Sequence, residues 1–268
     1  MSTGPEWTCP GYEVVEHPGA RVLARASAVA WVRFVLESGQ GLHAAASGDR
    51  SASPIEGRLP VFVIPAKVRE HDDSSGSARW AVRHYARGGR IVSALLGDRY
   101  LRSSRVRPYR ETLASETARA RGISTPRVMA AAYYPRGFFY RADIVTEFIP
   151  DASDLVETLF DSRRKGPGGA AERADALRAA GTLLRAMAAA GIRHRDMNAR
   201  NILLEWRGAF PTPHLLDLDR CTVEPEGRPT SLATMVHRLQ RSIRKWEAHT
   251  GIRITEKEWK SLDRAVAG

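Results

Sequence analysis

The composition of the chain excludes several classes of protein before any motif is considered. It has 268 residues, 43% hydrophobic and 26% charged, as expected for a soluble globular protein of one or two domains. No uninterrupted apolar stretch reaches the roughly 18 residues of a membrane-spanning helix, and the first residues lack the pattern of a secretory signal. Cys9 and Cys221 form neither a disulfide framework nor a paired metal motif, so we expect a reducing, cytoplasmic setting.

The charge of the chain is unusual. Lysine and arginine together number 41 against 30 aspartates and glutamates, which gives a formal net charge of +11. Nearly all of the cations are arginine, which codon bias in a GC-rich genome explains, but codon bias does not explain the excess of cations over anions. The excess indicates an anionic partner: phosphate groups, nucleic acid or an acidic membrane surface.

The first half of the chain is predicted to contain mostly strands. Two apolar runs on either side of the polar segment 67–78 indicate an antiparallel hairpin with a long tip. Residues 31–36 fit either a strand or a short helix, and 39–53 is a run of mainly small residues. In chain order, the strand candidates are 59–64, 80–85, 128–134 and 142–148, and a helix is predicted over 107–121.

The second half is predicted to be mainly helical. Its clearest helix covers 171–190, where apolar residues recur at helical spacing and Gly191 is placed to end the helix. The preceding segment, 161–170, is predicted to be a loop. The remaining candidates are a hairpin of 202–204 with 214–216, a helix that begins at Ser231 and a short helix over 256–266.

This order of elements predicts an α+β fold in two unequal lobes. The N-terminal lobe, 1–149, is expected to be an antiparallel sheet with one helix, and the C-terminal lobe, 150–268, to be mostly helical. Pro150 marks the expected boundary between them.

One segment carries most of the chemical information. His194, Arg195 and Asp196, followed by Asn201, match the pattern H-R-D-x-x-x-x-N, and an apolar run leads into Asp217 after the predicted hairpin. This layout is typical of kinase-like phosphotransferases. Phosphoryl transfer needs a carboxylate to accept the hydroxyl proton and Mg²⁺ to neutralise phosphate oxygens, so Asp196 fits the base and Asn201 and Asp217 fit the metal ligands. We call the segment from His194 to Asn201 the catalytic loop.

The first half is then expected to bind the nucleotide. Arg83 occupies the strand position where kinases have a phosphate-binding lysine, with Lys67 as the alternative cation. The acidic partner that orients the cation is expected to be Glu111, with Glu116 second. A phosphate-binding loop is weakly marked, because Gly57 is the one well-placed glycine before the strand at 59–64.

A resemblance to a known family extends beyond this general motif. The run RHYARGG, which begins at Arg83, resembles an element of bacterial 3-deoxy-D-manno-octulosonic acid (Kdo) kinases, which belong to the lipopolysaccharide kinase family. The catalytic loop is similar too, since it reads H-x-D-x-N-x-x-N, and the resemblance covers about 57–247. Segment 67–78 looks like an insertion relative to the family. Further similar stretches are LGDRY at 96–100, YRAD at 140–143, TEFIP at 146–150 and DLDR at 217–220.

The resemblance implies a bilobal protein-kinase-like fold and a kinase that depends on ATP and Mg²⁺. The family's acceptor is the Kdo residue attached to lipid A, phosphorylated at its 4-hydroxyl on the cytoplasmic side of the inner membrane. The implied partners are an anionic glycolipid and, by peripheral contact, the bacterial inner membrane, with no nucleic acid. The residues implied are Asp196, His194 and Asn198 as catalytic, Asn201 and Asp217 as metal ligands, and Arg83, Glu111, Gly57 and Glu147 for the nucleotide.

The distribution of arginine agrees with an anionic acceptor. Arginine pairs with the carboxylate of Kdo and with the phosphates of lipid A through two parallel hydrogen bonds, although any single arginine can equally be solvated surface. Nearby rings are candidates for contact with lipid headgroups: Trp80, Tyr85, Tyr100 and Tyr109. The arginines in question are Arg83, Arg87, Arg90, Arg99, Arg102, Arg105, Arg107 and Arg110.

Three other functions remain open at this point. An aminoglycoside- or choline-type phosphotransferase would share the catalytic loop, but its cationic acceptor would be repelled by so basic a protein. A nucleic-acid-binding protein would explain the charge but leaves Asp196, Asn201 and Asp217 without a role. A pseudokinase that only binds lipid is the third, and the presence of all three residues argues against it.

Overall fold

The computed structural model describes residues 7–55, 60–66, 78–85, 98–101, 106–161 and 167–268. Several predictions lie outside this described part of the chain. They concern Gly57 of the phosphate loop, Lys67, the tip of the first hairpin, and Arg87, Arg90, Arg102 and Arg105.

Backbone contacts divide the chain into two compact units. The first comprises Met1–Leu113 and Arg127–Phe148, and the second comprises Ala114–Pro126 and Ile149–Gly268. The sequence assigned 114–126 to the first lobe, whereas the structure groups these residues with the second unit. The apolar side chains of this segment explain the difference, because they pack into the core of the second unit.

An antiparallel sheet of eight strands forms the first unit in the described residues. Its order is β1-β2-β7-β8-β5-β4-β3, and β6 pairs with the far end of β8. The strands are β1 (Glu13–His17), β2 (Ala20–Ala24), β3 (Ser53–Ile55), β4 (Val61–Pro65), β5 (Arg79–His84), β6 (Tyr100–Leu101), β7 (Val128–Arg136) and β8 (Phe139–Glu147). The helices that begin in this unit are α1 (Ala26–Glu37), α2 (Leu42–Ser47) and α3 (Arg107–Ala120).

The predicted hairpin strands of the first unit are confirmed. β4 pairs with β5 in antiparallel register, and β7 pairs with β8 around a turn in which Gly137 has a φ of 57°. The ambiguous residues 31–36 lie in helix α1, and the small-residue run 39–53 contains helix α2. α1 buries one apolar stripe against the sheet, which decides the ambiguity in favour of a helix.

The two faces of β5 support two separate cores. Trp80 and Val82 pack with α1, and the ring centroids of Trp80 and Trp31 lie 5.6 Å apart. Tyr85, at the alternate position just past the strand, belongs to a second core with Tyr140 of β8. The two-residue period of a strand therefore sends neighbouring side chains of the RHY motif to opposite faces of the sheet.

The prediction that aromatic rings of this region reach lipid headgroups is wrong for three of them. Trp80, Tyr85 and Tyr100 have only 2%, 3% and 6% of their surfaces exposed. Tyr109 stacks on Trp7 with ring centroids 5.5 Å apart. The three buried rings contribute core packing, each worth roughly 1.5–3 kcal/mol of burial, whereas Tyr109 lies on helix α3 and is partly buried.

The second unit is mainly helical, with two small sheets. One sheet has the order β12-β11-β9, and the other pairs β10 with β13. Its strands are β9 (Ala152–Asp154), β10 (Ile192–His194), β11 (Ile202–Glu205), β12 (Thr212–Leu215) and β13 (Cys221–Val223). Its further helices are α4 (Leu155–Phe160), α5 (Pro167–Ala189), α6 (Leu232–Thr250) and α7 (Glu256–Ala267).

Most element predictions for this unit are confirmed. The hairpin exists as β11 and β12, Ser231 immediately precedes α6, and the last helix is α7. The loop predicted over 161–170 is wrong in its last four residues, because α5 begins at Pro167, a residue whose fixed φ suits the first turn of a helix. Gly191 follows α5 with a φ of 70°, as its capping position requires.

Helix α5 approaches α7 closely at one glycine. A Cβ atom added to Gly181 would lie 2.8 Å from the Cβ of Ala265 and 2.9 Å from the carbonyl oxygen of Leu262. A glycine at this position therefore sets the separation of the two helices. Among the described residues, no helix has both the length and the apolar character needed to cross a membrane.

Candidate active site

The catalytic loop runs from the end of β10 to the start of β11, and backbone hydrogen bonds hold both its ends. The Arg195 N–H donates to the Arg220 carbonyl oxygen at 3.2 Å, and the Leu216 N–H donates to the Asn201 carbonyl oxygen at 2.9 Å. Leu216 and Arg220 lie on either side of the turn that begins at Asp217. The fold of the second unit therefore brings Asp217 beside the catalytic loop, as its position in the sequence predicted.

His194 forms hydrogen bonds with the backbone of both Asp196, the predicted base, and Asp217, a predicted metal ligand. The residue is 1% exposed, its Nε2 lies 2.9 Å from the Asp217 carbonyl oxygen, and its Nδ1 accepts the Asp196 N–H at 3.1 Å. Because Nδ1 is an acceptor, the ring proton belongs on Nε2, which donates to Asp217. Burial lowers the pKa of His194 below its ordinary value of 6.5, in spite of the nearby Asp217 and Asp196 charges. His194 is therefore a neutral positioning residue.

Two asparagines hold the backbone of Asp196. Its carbonyl oxygen accepts the side-chain amide of Asn198 at 2.9 Å and that of Asn201 at 3.1 Å. The Asn198 side-chain oxygen accepts the Arg200 N–H at 3.0 Å, at the start of the 3-10 turn Ala199–Asn201. The main chain is thus held, while the carboxylate of Asp196 lies on an exposed side chain, which is the arrangement a base for an incoming hydroxyl needs. Asn198, predicted as catalytic, acts here by positioning.

Asn201 and Asp217 offer oxygens suited to Mg²⁺. Asn201 is 9% exposed, and since its amide nitrogen donates to the Asp196 carbonyl, its amide oxygen is the atom left to face a ligand. Asp217 has the left-handed φ of 59°, one of two such non-glycine residues in the described chain. Its carbonyl group is directed to His194. In nucleotide sites, Mg²⁺ is usually bound by only one or two protein side chains, because phosphates and waters supply its other ligands. One amide oxygen and one carboxylate fit that number. Within the described residues, no group of three or more histidine, cysteine or acidic side chains is arranged to hold a metal ion by itself.

The first unit pairs Arg83 with Glu111. The Arg83 Nη2 donates to both carboxylate oxygens of Glu111, at 2.8 and 3.0 Å, and the Tyr85 hydroxyl donates a short hydrogen bond to the same carboxylate. Glu111 is 4% exposed, so its charge depends on these donors. The structure therefore selects Glu111 rather than Glu116 as the partner of Arg83.

Glu147, also predicted to bind the nucleotide, lies at the end of β8. Its carboxylate is 3.6 Å from the Arg127 Nε, and its N–H donates to the Arg127 carbonyl oxygen at 2.9 Å. The register of β8 with β5 places Glu147 opposite Trp80, whereas Arg83 is opposite Ile144. The structure thus brings Glu147 to Arg127 and not to the Arg83–Glu111 pair.

The sequence analysis did not predict a partly buried network of polar side chains, although its members lie in three stretches that carry the family resemblance. His84 Nδ1 is 2.5 Å from the Asp143 Oδ1, and its Nε2 is 3.1 Å from the Asp98 Oδ2. The Arg141 Nε lies 2.7 Å from the same Asp98 oxygen. Sequence spacing could not show this, because the residues meet through strand pairing of β5 with β8.

The charges of this network are fixed by one another. Burial alone would lower the pKa of His84, but the hydrogen bonds and charges of Asp143 and Asp98 outweigh it and raise the pKa above 6.5. The pKa of Asp98 is lowered, since its burial is outweighed by His84 and Arg141. The other Asp143 oxygen accepts the His43 N–H at 3.0 Å, which ties the start of α2 to the sheet. We assign the network to holding this part of the first unit.

Comparisons with known proteins agree with this geometry. The lipopolysaccharide kinase (Kdo/WaaP) family matches residues 66–265. The "3-deoxy-D-manno-octulosonic acid kinase" of Vibrio vulnificus (strain YJ016) is 31% identical over 184 residues, which are 68% of this chain and 72% of that protein. The protein of the same name from Actinobacillus succinogenes is 34% identical over 185 residues, again 68% and 72% of the two chains.

A solved structure shows the fold. "WaaP in complex with acyl carrier protein" superposes with a TM-score of 0.53 at 16% identity, covering 92% of this chain and 88% of that chain. The fold is therefore the protein-kinase-like one that the sequence predicted. The extent of the family match and the identity to its members lead to the same conclusion: this chain belongs to the lipopolysaccharide kinase (Kdo/WaaP) family and is a kinase.

Proposed function

We propose that this kinase transfers the γ-phosphate of ATP, with Mg²⁺, to the 4-hydroxyl of a Kdo residue on lipid A. One observation carries the proposal: a single buried imidazole, His194, bonds the backbone of both Asp196 and Asp217 and thereby sets the base beside the metal ligand. The family and the names of its members support the sugar acid as acceptor.

Each residue of the site has a separate task. The exposed carboxylate of Asp196 accepts the proton of the attacking sugar hydroxyl. Asn201 and Asp217 would hold Mg²⁺, which when bound neutralises the phosphate oxygens. Arg83, oriented by Glu111, would contact the α- and β-phosphates, where its planar guanidinium bonds two oxygens at once.

The same proposal places the enzyme on the cytoplasmic face of the bacterial inner membrane, by peripheral contact. The acceptor is an anionic glycolipid, and the net charge of +11 favours such a surface. The described arginines of the predicted cluster are partly engaged within the protein: Arg83 with Glu111, and Arg107 with its guanidinium carbon 4.7 Å from the Tyr100 ring centre. The charge of the whole surface therefore supports membrane contact better than these two residues do.

The test is release of ADP on two acceptors, a lipid A precursor that carries Kdo and the same precursor without Kdo. The proposal predicts Mg²⁺-dependent turnover with the first alone. In the Asp196→Asn variant, we expect kcat to fall by about 10²–10⁴-fold while ATP binding is retained, because only proton transfer is removed. Equal turnover on both precursors would contradict Kdo as the acceptor. A normal kcat in Asp196→Asn would contradict Asp196 as the base.

A further inference from the structure

Arg200 is a cation built into the catalytic loop itself. It lies between Asn198 and Asn201, in the 3-10 turn that follows the base, and 54% of its side chain is exposed. Asn198 bridges it to the base, because one carboxamide accepts the Arg200 N–H and donates to the Asp196 carbonyl oxygen. Arg200 is therefore tied through its backbone to the residue that a sugar hydroxyl would approach.

Two anchored neighbours orient the Arg200 guanidinium. Its Nη1 donates to the Asp154 Oδ2 at 2.9 Å, and its central carbon lies 4.9 Å from the centre of the Trp246 ring. Both neighbours are themselves fixed to the loop. Asp154 caps helix α4 and lies in β9, which pairs with β11, while Trp246 lies on α6, whose Ser242 hydroxyl accepts the Ala199 N–H at 3.2 Å. The guanidinium is held before any ligand binds.

The remaining donors of Arg200 belong to a side chain that is 54% exposed. Within the described residues, its Nε and Nη2 have no hydrogen-bond acceptor, since Asp154 takes Nη1 and the ring of Trp246 covers a face rather than an edge. Because more than half of the Arg200 side chain is exposed, solvent screening limits the contribution of this ion pair to stability to about 0–1 kcal/mol. A planar fork with free N–H groups is the geometry that binds a carboxylate through two parallel hydrogen bonds.

We propose that Arg200 binds the carboxylate of the acceptor sugar acid and so orients its hydroxyl toward Asp196. This inference rests on the proposed function, which supplies an acid as the acceptor. Arg200 selects for an acidic sugar because a neutral sugar leaves its donors unpaired, and because a cationic sugar is repelled. It is a specificity-determining residue for the acceptor and has no part in binding ATP.

The test compares steady-state kinetics of the wild type, Arg200→Gln and Arg200→Lys on two acceptors. One is the Kdo-bearing lipid A precursor, and the other is its carboxamide analogue, which keeps the hydroxyl and the lipid phosphates. Arg207→Gln is the matched control. Like Arg200, Arg207 is an exposed arginine paired with a carboxylate that is 14% exposed, here that of Glu205. Arg207, however, follows the other end of β11. Thermal unfolding of each variant establishes that it folds.

We expect Arg200→Gln to raise the KM for the Kdo acceptor about 10- to 100-fold, with the KM for ATP unchanged. Arg200→Lys should recover part of the loss, and Arg207→Gln should resemble the wild type. The carboxamide acceptor should be poor for the wild type and no worse for Arg200→Gln. If Arg200→Gln loses activity equally on both acceptors, the inference is overturned. It is also overturned if the KM effect of Arg200→Gln disappears on a Kdo acceptor that lacks the lipid phosphates, because Arg200 would then bind those phosphates.

Binding of the free Kdo monosaccharide, followed by its NMR line widths without ATP, separates this inference from the proposed function. Failure of the wild type to phosphorylate any Kdo acceptor would refute the proposed function. Binding of free Kdo by the wild type but not by Arg200→Gln would still support the carboxylate site. Binding that is the same in both proteins would refute it.

Discussion

The two ring nitrogens of His194 make opposite kinds of hydrogen bond. Nε2 donates to the Asp217 carbonyl oxygen, and Nδ1 accepts the Asp196 N–H. A protonated ring has no acceptor, so the loop requires the neutral form, and burial favours that form by lowering the pKa. At the scale of single residues, the hydrogen bonds that set Asp196 beside Asp217 therefore depend on a neutral histidine.

This arrangement predicts a pH dependence of stability with a definite sign. Below pH 6.5 the unfolded chain takes up a proton at His194, whereas the folded chain does not until its lower pKa is reached. The free energy of unfolding should therefore fall as the pH is lowered from 6.5, and this part of the fall should be missing in His194→Gln. Urea unfolding of both proteins at several pH values measures it.

Two other histidines have shifted pKa values: that of His84 is raised, and burial lowers that of His214 in spite of its hydrogen bond to Glu205. Both are present in the two proteins and so cancel in the difference between them. The raised pKa of His84 acts in the opposite direction, since its contribution is present below pH 6.5 and lost as the pH rises through the folded pKa. Parallel curves for the wild type and His194→Gln would contradict the assignment of a neutral His194.

The Arg83–Glu111 pair allows a second residue-scale prediction. Arg83→Gln leaves the buried Glu111 carboxylate with less compensation, so the first unit should lose stability and the KM for ATP should rise. The double variant Arg83→Gln/Glu111→Gln should recover stability but not ATP affinity. A double-mutant cycle measured by urea unfolding should give a coupling free energy between the two side chains of about 1–2 kcal/mol. This value already allows for solvent screening, since one third of the Arg83 side chain is exposed. Additive effects, with no coupling, would show that the pair does not act as a unit.

Sequence motifs predicted the members of the site better than they predicted the roles of those members. Asp196, Asn201 and Asp217 converge as the spacing of the catalytic loop and its hairpin required. The catalytic roles of His194 and Asn198 stay predictions, and their hydrogen bonds to the backbone of Asp196 fit a positioning contribution that the sequence pattern does not contain. The roles of Glu147 and Gly57 toward the nucleotide stay predictions.

At the scale of elements, hydrophobic patterning predicted the longer elements and missed the short ones. The strands β7 and β8 each run for nine residues, and helix α6 carries a regular apolar stripe. The missed strands are β1 and β2, of five residues each, and β3, β6, β9, β10 and β13, of two or three residues, which are too short for alternation to be detected. Their pairing is a consequence of tertiary packing, which a local pattern does not contain.

The contact of α5 with α7 gives a prediction at this scale. Gly181→Ala should lower the free energy of unfolding by about 1–2 kcal/mol, even though alanine is the better helix former by about 1 kcal/mol. The reason is that the new Cβ would lie 2.9 Å from the Leu262 carbonyl oxygen, a backbone atom that cannot move alone.

Gly208→Ala is the matched control, because a Cβ at Gly208 meets no atom within 4 Å. Chemical denaturation of both variants measures the effect. A stabilised Gly181→Ala protein would mean that α5 and α7 separate more easily than their packing indicates.

At the scale of the whole molecule, composition and family membership agree with one proposed acceptor. The net charge of +11 favours an anionic partner without naming it, and the family match makes the chain a kinase. The acceptor proposed above, an acidic sugar on a phosphorylated lipid, satisfies both observations.

The most direct test of this account is the structure of the product. After incubation of the wild-type protein with ATP, Mg²⁺ and a Kdo-bearing lipid A precursor, a two-dimensional ³¹P–¹H NMR spectrum identifies the atom that carries the new phosphate. The account predicts a phosphate monoester coupled to the proton on carbon 4 of Kdo, absent in the Asp196→Asn reaction. A new phosphate on the lipid A sugars, or none on Kdo while ATP is consumed, would contradict it.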